Sequence, residues 1–488
     1  MRCTTCFIAA LAASLASAQE TVLGAYIFSR HGDRTAKSTP PANLTDLGYE
    51  EVFTSGTYFR NRYIASGATK RIYGINSDIV KLSQITASAP VDNVLQSSAL
   101  GFLQGLYPPV GTQLGTNTLR NGTQVQSPLN GYQLIPLQTV ETGTNSENSA
   151  WLQGSTNCAN AQISSDNYYT SAEYMQTLNT TQALYNRIYP DVNKTFSQTQ
   201  TSYKNAYTIW DLLNVASIHN SSVTAPLPSN EDFDQLRYLA FQHEWGLAYN
   251  NSEPIRAVTG SIVAAEVVEG LNTTITSKGK TKLNVQFGAY AGMLSFFGLA
   301  NLTNINGDFY GVPDYASTLT WELVTNATVN STSWPSNDQI YVRFLFHNGT
   351  TSNISQPIEY PLFNSNRSPL PWNDFVTGMN KFAISDQRSW CNACGNTTGV
   401  CSDAYLTANG DGSSSSTANS GNSGSSTGSG SGGISKTVAG VIGAMVTLAV
   451  ILLIEGAIVL LGGFRLVSKK RLAGSQSGPT MQSVNMKA

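Results

Sequence analysis

Residues 22–34 read VLGAYIFSRHGDR, an apolar run followed at once by a charged one. An apolar run before a glycine-containing turn is typical of a buried strand. In open α/β sheets the ligand sites lie at the carboxyl ends of the strands. The segment therefore predicts a strand that carries Arg30, His31 and Arg34 to a site at the edge of the sheet.

The charged run suits the binding of a tetrahedral oxyanion. The guanidinium groups of Arg30 and Arg34 can each hold two oxygens of such an anion. The imidazole of His31 would then lie within reach of the central atom, and histidine can act as a nucleophile. A surface turn with solvated charges is the alternative, because short motifs are weak signals by themselves.

Three segments resemble one known family. The run at 30–34 resembles the Arg-His-Gly-x-Arg signature of the histidine acid phosphatases, the branch of the phosphoglycerate-mutase-like superfamily that includes phytases. Residues 102–109 resemble a family helix ending, and Trp390-Cys391 resembles fungal members with a membrane anchor. The resemblance covers most of residues 22–401. It implies an α/β fold, a three-layer sandwich with a mixed central sheet and a helical cap inserted at about 111–230.

The resemblance also implies a two-step hydrolysis of phosphomonoesters. His31 would attack phosphorus, a distal acid would protonate the leaving alcohol, and water would cleave the phosphohistidine. Arg30, Arg34 and a third arginine would bind the phosphate, and a distal histidine would add a further donor. This mechanism requires neither a metal nor another cofactor.

The chain departs from the family pattern at Ala36, where the family has a proline after the signature, and at three positions of the expected site. The third arginine is expected near Ser88, where no basic residue occurs. After a strand predicted at 282–287, Tyr290 stands for the distal histidine and Ala291 for the acid. Loss of a general acid costs about 10² to 10⁴ in rate, and each lost charge-stabilising donor about 10² to 10³. Asp33 is an unaligned carboxylate that could substitute.

Two main hypotheses follow from this pattern. The retained His31, Arg30 and Arg34 favour an exterior acid phosphatase that acts on phosphomonoesters. The residues at 88, 290 and 291 favour a degenerate surface glycoprotein that binds phosphate or a phosphorylated ligand without efficient turnover. A vestigial pocket is the third option.

A second histidine-acid pair, His243-Glu244, lies in a segment whose apolar residues follow a helical pattern at 232–249. Because the family places its acid at a strand end, we interpret this pair as structural.

The two ends predict a secreted, membrane-anchored chain. Residues 1–18 have the pattern of a signal peptide, and 19–406 form the ectodomain. A Ser/Gly-rich stalk at 407–437 leads to an apolar stretch at 438–464 that is long enough to span a bilayer. The tail at 465–488 begins with basic residues, which predict a type I topology at the plasma membrane or cell surface with the ectodomain outside. A vacuolar membrane is the alternative that this pattern leaves open. Glu455 lies inside the span, where it is either functional or simply tolerated.

Cysteines and sequons agree with an exterior location. Outside the signal peptide lie Cys158, Cys391, Cys394 and Cys401, which predict two structural disulfides with three possible connectivities. The Cys391-x-x-Cys394 spacing also occurs in zinc and redox sites, but no second ligand pair stands near it. Glycosylation sequons are dense and include Asn43, Asn121, Asn193, Asn272, Asn301, Asn326, Asn348 and Asn396.

The charge of the chain argues against nucleic acid as a partner. The net charge is −2 and only 12% of the residues are charged. Nucleic-acid binding needs a basic footprint, which is absent here. The partners predicted from the sequence are a phosphomonoester or phosphate and a membrane.

Overall fold

The computed structural model describes residues 20–140, 156–219, 228–403 and 406. The strands are β1 (Thr21–Arg30), β2 (Ile85–Pro90), β3 (Thr116–Thr118), β4 (Gln124–Gln126), β5 (Gln138–Val140), β6 (Leu283–Gly288), β7 (Thr318–Thr325), β8 (Tyr341–His347), β9 (Ile358–Glu359) and β10 (Leu370–Pro371). The helices are α1 (Asp46–Tyr63), α2 (Asn93–Leu106), α3 (Gly111–Gly115), α4 (Pro128–Gly131), α5 (Ala159–Asn167), α6 (Ala172–Thr180), α7 (Gln182–Val192), α8 (Ala206–His219), α9 (Asn230–Ala248), α10 (Val258–Thr276), α11 (Tyr290–Leu299), α12 (Trp372–Met379) and α13 (Gln387–Cys394).

The main sheet is mixed and has β1 near its centre. Its strand order is β10-β8-β7-β1-β6-β2-β5, with β9 paired to β8. Strand β1 runs parallel to β6 and antiparallel to β7. Strands β2 and β5 continue the parallel part. The prediction of an α/β fold with a mixed central sheet is therefore confirmed.

The apolar run of β1 is buried on both faces, which explains why its sequence is nearly continuous in apolar residues. Ala25 and Ile27 belong to the core shared with α1 and α2. Tyr26 and Phe28 belong to the core shared with α10, α11 and the more C-terminal strands. Helices therefore cover both faces of the sheet.

Most of the remaining helices lie between β5 and α10. Within the range 111–230 predicted for the cap, β5 pairs with β2 of the main sheet and α5–α8 follow it. Helix α9 continues this helical part up to Ala248. The exact limits of the cap stay a prediction.

Two disulfides fasten the last described segment. Cys158 at the start of α5 is bonded to Cys394, and Cys391 is bonded to Cys401. The prediction of two structural disulfides is confirmed. The two cysteines of the Cys-x-x-Cys spacing are bonded to different partners, so they form neither a redox pair nor a zinc site.

The predicted signal peptide, the predicted stalk at 407–437, the apolar stretch at 438–464 with Glu455, and the predicted tail lie outside the described residues. Among the residues that the structure describes, no helix has the length and apolarity needed to cross a membrane. The membrane anchor and the type I topology stay predictions.

Candidate active site

A close approach of two backbones shapes the turn after β1. A Cβ atom on Gly32 would lie 2.1 Å from the carbonyl oxygen of Gly48, and one on Gly48 would lie 2.0 Å from that of Asp33. Only glycine fits at either position. Thr45 caps α1 by accepting a hydrogen bond from the Gly48 amide at 3.1 Å. The signature is thereby clamped against the first turn of α1.

His31 lies at this turn with its tautomer set by a carbonyl group. Its Nδ1 is 2.8 Å from the carbonyl oxygen of Gly32, which can only accept. Nδ1 therefore carries the proton and Nε2 carries the lone pair, as a nucleophile needs. His31 has no exposed surface. The ring also packs against Tyr315, with centroids 5.6 Å apart.

The two signature arginines are buried and already engaged. The guanidinium of Arg30 donates to the carbonyl oxygen of Pro313 and lies 3.4 Å from the Tyr207 hydroxyl. Arg34 forms an ion pair with Asp211 at 3.0 Å, and neither side chain is more than 1% exposed. Phosphate binding at Arg34 must therefore compete with a carboxylate.

One face of α8 contacts three residues of the signature, Arg30, Asp33 and Arg34. Tyr207, Asp211 and His219 lie on that face because their positions differ by multiples of four. Tyr207 reaches Arg30, Asp211 reaches Arg34 and the Lys37 amide, and His219 reaches Asp33. Nothing in the sequence analysis assigned these three residues. Their common spacing was a signal for a shared helix face, but not for the surface that this face covers.

The contacts of Asp33 are those of a structural residue and not those of a substitute acid. Its Oδ2 lies 2.5 Å from the hydroxyl of Thr45 and 2.5 Å from Nε2 of His219, and the side chain is fully buried. The Asp33 amide donates to Glu51 at 2.7 Å. Burial raises the pKa of Glu51 to about 7. Asp33 therefore ties the signature to α1 and α8.

Tyr290, which the resemblance places at the position of the distal histidine, is the first residue of α11 and follows β6 closely. The Tyr290 ring lies 5.1 Å from the Arg30 guanidinium and 5.3 Å from Nζ of Lys37. The structure therefore brings Tyr290 together with the signature, as the sequence predicts. Lys37 is a nearby cation that the sequence analysis did not assign.

The hydroxyl of Tyr290 donates to Oε2 of Glu244 at 2.7 Å. The other oxygen of Glu244 lies 2.9 Å from Nδ1 of His243. Burial alone would raise the pKa of Glu244, but the hydrogen bond and charge of His243, with Tyr290 and Lys37, hold this pKa below its usual range. The helix predicted around His243-Glu244 is present, yet Glu244 also reaches the distal position. Our purely structural interpretation missed this contact.

The other two departures lie apart from these contacts. Ala291 is the second residue of α11 and has no group that could donate a proton. Ser88 pairs with Gln286 and Gln138 inside the sheet. It lines a second cavity, of about 370 Å³, with Glu266 and Glu269 rather than with the signature residues. The role of Ser88 as the position of the missing third arginine stays a prediction.

A larger cavity, of about 940 Å³, is lined in part by the loop at 311–314, whose Pro313 carbonyl holds Arg30. Its walls also include aromatic side chains such as Trp245, Phe241 and Tyr310. The charged side chains in these walls are Glu173, Asp234, Asp308, Asp314 and Arg237. Within the described part of the chain, no group of three or more His, Cys, Asp or Glu residues could hold a metal ion.

Solved structures share this fold at low sequence identity. The apo form of Hafnia alvei phytase matches with a TM-score of 0.51 and 12% identity, over 78% of this chain and 99% of the phytase. The phytase from Citrobacter braakii matches with a TM-score of 0.50 and 12% identity, over 77% and 99%. Klebsiella sp. ASR1 phytase has a TM-score of 0.50 and 11% identity, over 76% and 98%. These similarities define the fold class. No curated protein is significantly similar in sequence.

The sequence model of the histidine phosphatase superfamily (branch 2) matches residues 39–347. This match covers more than half of the chain, and it begins after Arg34, so it does not depend on the signature itself. The chain belongs to the histidine phosphatase superfamily, branch 2, which confirms the resemblance to histidine acid phosphatases.

Proposed function

We propose that this protein is a phosphomonoesterase that works through a phosphohistidine at His31. The observation that carries the proposal is the hydrogen bond from Nδ1 of His31 to the Gly32 carbonyl, which leaves the lone pair on Nε2. Arg30 and Arg34 flank this residue in the sequence and supply fixed positive charge for a phosphoryl group. Family membership supports the same chemistry.

The geometry around the signature supports slow rather than fast turnover. His31 and Arg34 are 0% exposed, and Arg30 is 3% exposed. Substrate entry therefore requires a movement of α8 that separates Asp211 from Arg34. Such opening steps limit the rate of many enzymes.

Binding without hydrolysis is the second candidate function. The observation that favours it is Ala291, which leaves no proton donor at the position where the family carries its acid. A phosphate or a phosphorylated ligand would then bind to the arginines and leave unchanged.

One assay separates the two candidates. The full-length protein and His31→Ala are compared for hydrolysis of 4-nitrophenyl phosphate at mildly acidic pH. The phosphomonoesterase proposal predicts a rate above background that is lost in His31→Ala, together with acid-labile phosphate on the wild-type chain. Equal background rates would contradict hydrolysis. Phosphate-dependent thermal stabilisation that is lost in Arg34→Ala would then support binding.

We further propose that the catalytic part lies outside the cell or in a vacuolar lumen, tethered by the segment at 438–464. The disulfides support this location because they persist in oxidising compartments. Protease treatment of intact cells and sealed vacuoles tests it. If the catalytic part lies outside the cell, protease should release it as a large fragment from intact cells. If it lies in the vacuolar lumen, protease should release it only after the vacuolar membrane is opened.

A further inference from the structure

Ala291 leaves a gap in the proposed reaction. Cleavage of an alkyl phosphate releases an alkoxide, which needs a proton as the P–O bond breaks. We propose that Tyr290 delivers this proton and that Glu244, from a different helix, positions Tyr290 and restores its proton. This inference rests on the proposed function. It assigns a proton-transfer role to a pair formed between α9 and α11.

Tyr290 is placed to reach a leaving group. It lies at the start of α11, where β6 ends beside β1. Its ring is 5.1 Å from the guanidinium of Arg30 and 5.3 Å from Nζ of Lys37. The two cations favour negative charge on the phenol oxygen while its proton is being transferred.

Glu244 is a positioning residue for this phenol. Its carboxylate accepts the Tyr290 hydrogen bond at 2.7 Å, and the Glu244 side chain is only 15% exposed. The titratable groups that face it are His243 from α9, Tyr290 from α11, Lys37 after the signature, and Tyr169. Nδ1 of His243 lies 2.9 Å from the opposite carboxylate oxygen and fixes the orientation of the carboxylate.

The protons balance in both steps. In the first, the bond from Nε2 of His31 to phosphorus forms and the bond to the leaving oxygen breaks. The leaving oxygen takes the proton of Tyr290, and Tyr290 takes one from protonated Glu244. In the second, a water oxygen bonds to phosphorus and the N–P bond breaks. One water proton passes to Tyr290, whose own proton returns to Glu244. Water is the single co-reactant.

The pKa of Glu244 adds a pH dependence. Because the pKa is held below its usual range, the protonated carboxyl is populated only in acidic solution. Turnover of alkyl phosphates should therefore increase as the pH falls through the acidic range. If Glu244 only anchored α9 to α11, the pH dependence of turnover would be the same for alkyl and aryl phosphates.

The test compares leaving groups. Two substrates are assayed with three variants of the full-length protein: Glu244→Gln, Glu244→Asp and Tyr290→Phe. The leaving group of 4-nitrophenyl phosphate needs little proton assistance, whereas the leaving group of glycerol 2-phosphate needs much. Glu244→Gln and Tyr290→Phe should lower kcat on glycerol 2-phosphate by about 10²-fold or more. They should lower kcat on the aryl ester several-fold at most. Glu244→Asp should restore part of the loss, and the exposed α9 variant Glu231→Gln should behave as wild type.

The outcomes separate the two proposals. In one outcome, the wild-type protein is more active than His31→Ala while Glu244→Gln and Tyr290→Phe lose either no activity or the same fraction of activity on both esters. That result overturns the proton-transfer role and leaves the phosphomonoesterase proposal standing. If wild type equals His31→Ala on both esters, the proposed function fails and this inference fails with it. Should Glu244→Gln not fold, Tyr290→Phe, which removes a single oxygen, decides the result.

Discussion

Arg34 and Asp211 form an ion pair at 3.0 Å in which both side chains are almost completely removed from water. The pair joins the signature segment at 30–34 to α8. Asp211 also accepts the backbone N–H of Lys37 at 2.8 Å, so its carboxylate holds both the side chain and the backbone of this loop. An incoming phosphate would need the same guanidinium that Asp211 now occupies.

Asp211→Asn should therefore bind phosphate more tightly than wild type. The substitution removes a competing negative charge while keeping the size of the side chain. Breaking a buried ion pair costs about 3–5 kcal/mol, so the ligand-free variant should melt at a lower temperature. Added inorganic phosphate should then raise its Tm by more than it raises that of wild type. The exposed variant Asp338→Asn is the control. An equal phosphate effect in Asp211→Asn and wild type would refute the competition.

The parts of the site that the sequence predicts are local ones. The apolar run of β1 and the turn at Gly32 depend on neighbouring residues, so their patterns are visible along the chain. Tyr290 is found because it closely follows a strand. The roles of Asp211 and Glu244 are not predicted by such local patterns. Asp211 contacts Arg34 across 177 positions of the sequence, and Glu244 contacts Tyr290 across 46. They depend on how the cap helices pack on the sheet, which periodicity does not specify.

Glu322 should be the most important buried charge for stability. It is 0% exposed and accepts hydrogen bonds from Arg62 at 2.7 Å, Tyr63 at 2.7 Å and Arg343 at 2.9 Å. Glu322→Gln should lower the free energy of unfolding by about 3 kcal/mol, because Arg62 loses its buried carboxylate partner and Arg343 loses one of its three carboxylate partners. Urea unfolding measures this loss.

Glu359→Gln is the matched control for Glu322. Glu359 contacts the same Arg343 at 3.0 Å, but its side chain is 38% exposed. Its loss should cost no more than about 1 kcal/mol. Similar losses for the two variants would contradict a special role of the buried carboxylate.

The stability of the protein should decrease from acidic to neutral pH through Glu266. Burial raises the pKa of Glu266 from 4.5 to about 8, and Gln286 donates to its carboxyl group at 2.5 Å. A raised pKa means that the fold favours the neutral acid. The stability is therefore complete below pH 4.5 and is lost as the pH rises from there to about 8.

Glu266→Gln should remove this loss, because its amide cannot ionise. The variant should match wild type near pH 4.5 and exceed it at pH 8 by roughly 1–3 kcal/mol, a range reduced for the partial exposure of the side chain. Urea unfolding at both pH values measures the difference. The exposed Glu50→Gln should show no pH-dependent gain, and a constant offset between Glu266→Gln and wild type would disprove the titration.

Substrates that carry several phosphates should be poor ones, even though the structural neighbours include phytases. The cavity of about 940 Å³ beside the loop that holds Arg30 is lined by four carboxylates, Glu173, Asp234, Asp308 and Asp314, and one guanidinium, Arg237. Like charges repel a polyanion that extends from the signature into this space. The kcat/KM for inositol hexakisphosphate should therefore lie at least about 10-fold below that for a simple aryl phosphate, since about 1.4 kcal/mol of repulsion suffices for that ratio.

The double variant Asp234→Asn/Asp308→Asn should bring the two kcat/KM values closer together. High salt, which screens the charges, should have the same effect. Asp374→Asn, which does not line the cavity, should leave the ratio of the two kcat/KM values unchanged. If neither the double variant nor salt changes this ratio, the cavity does not select against charged substrates.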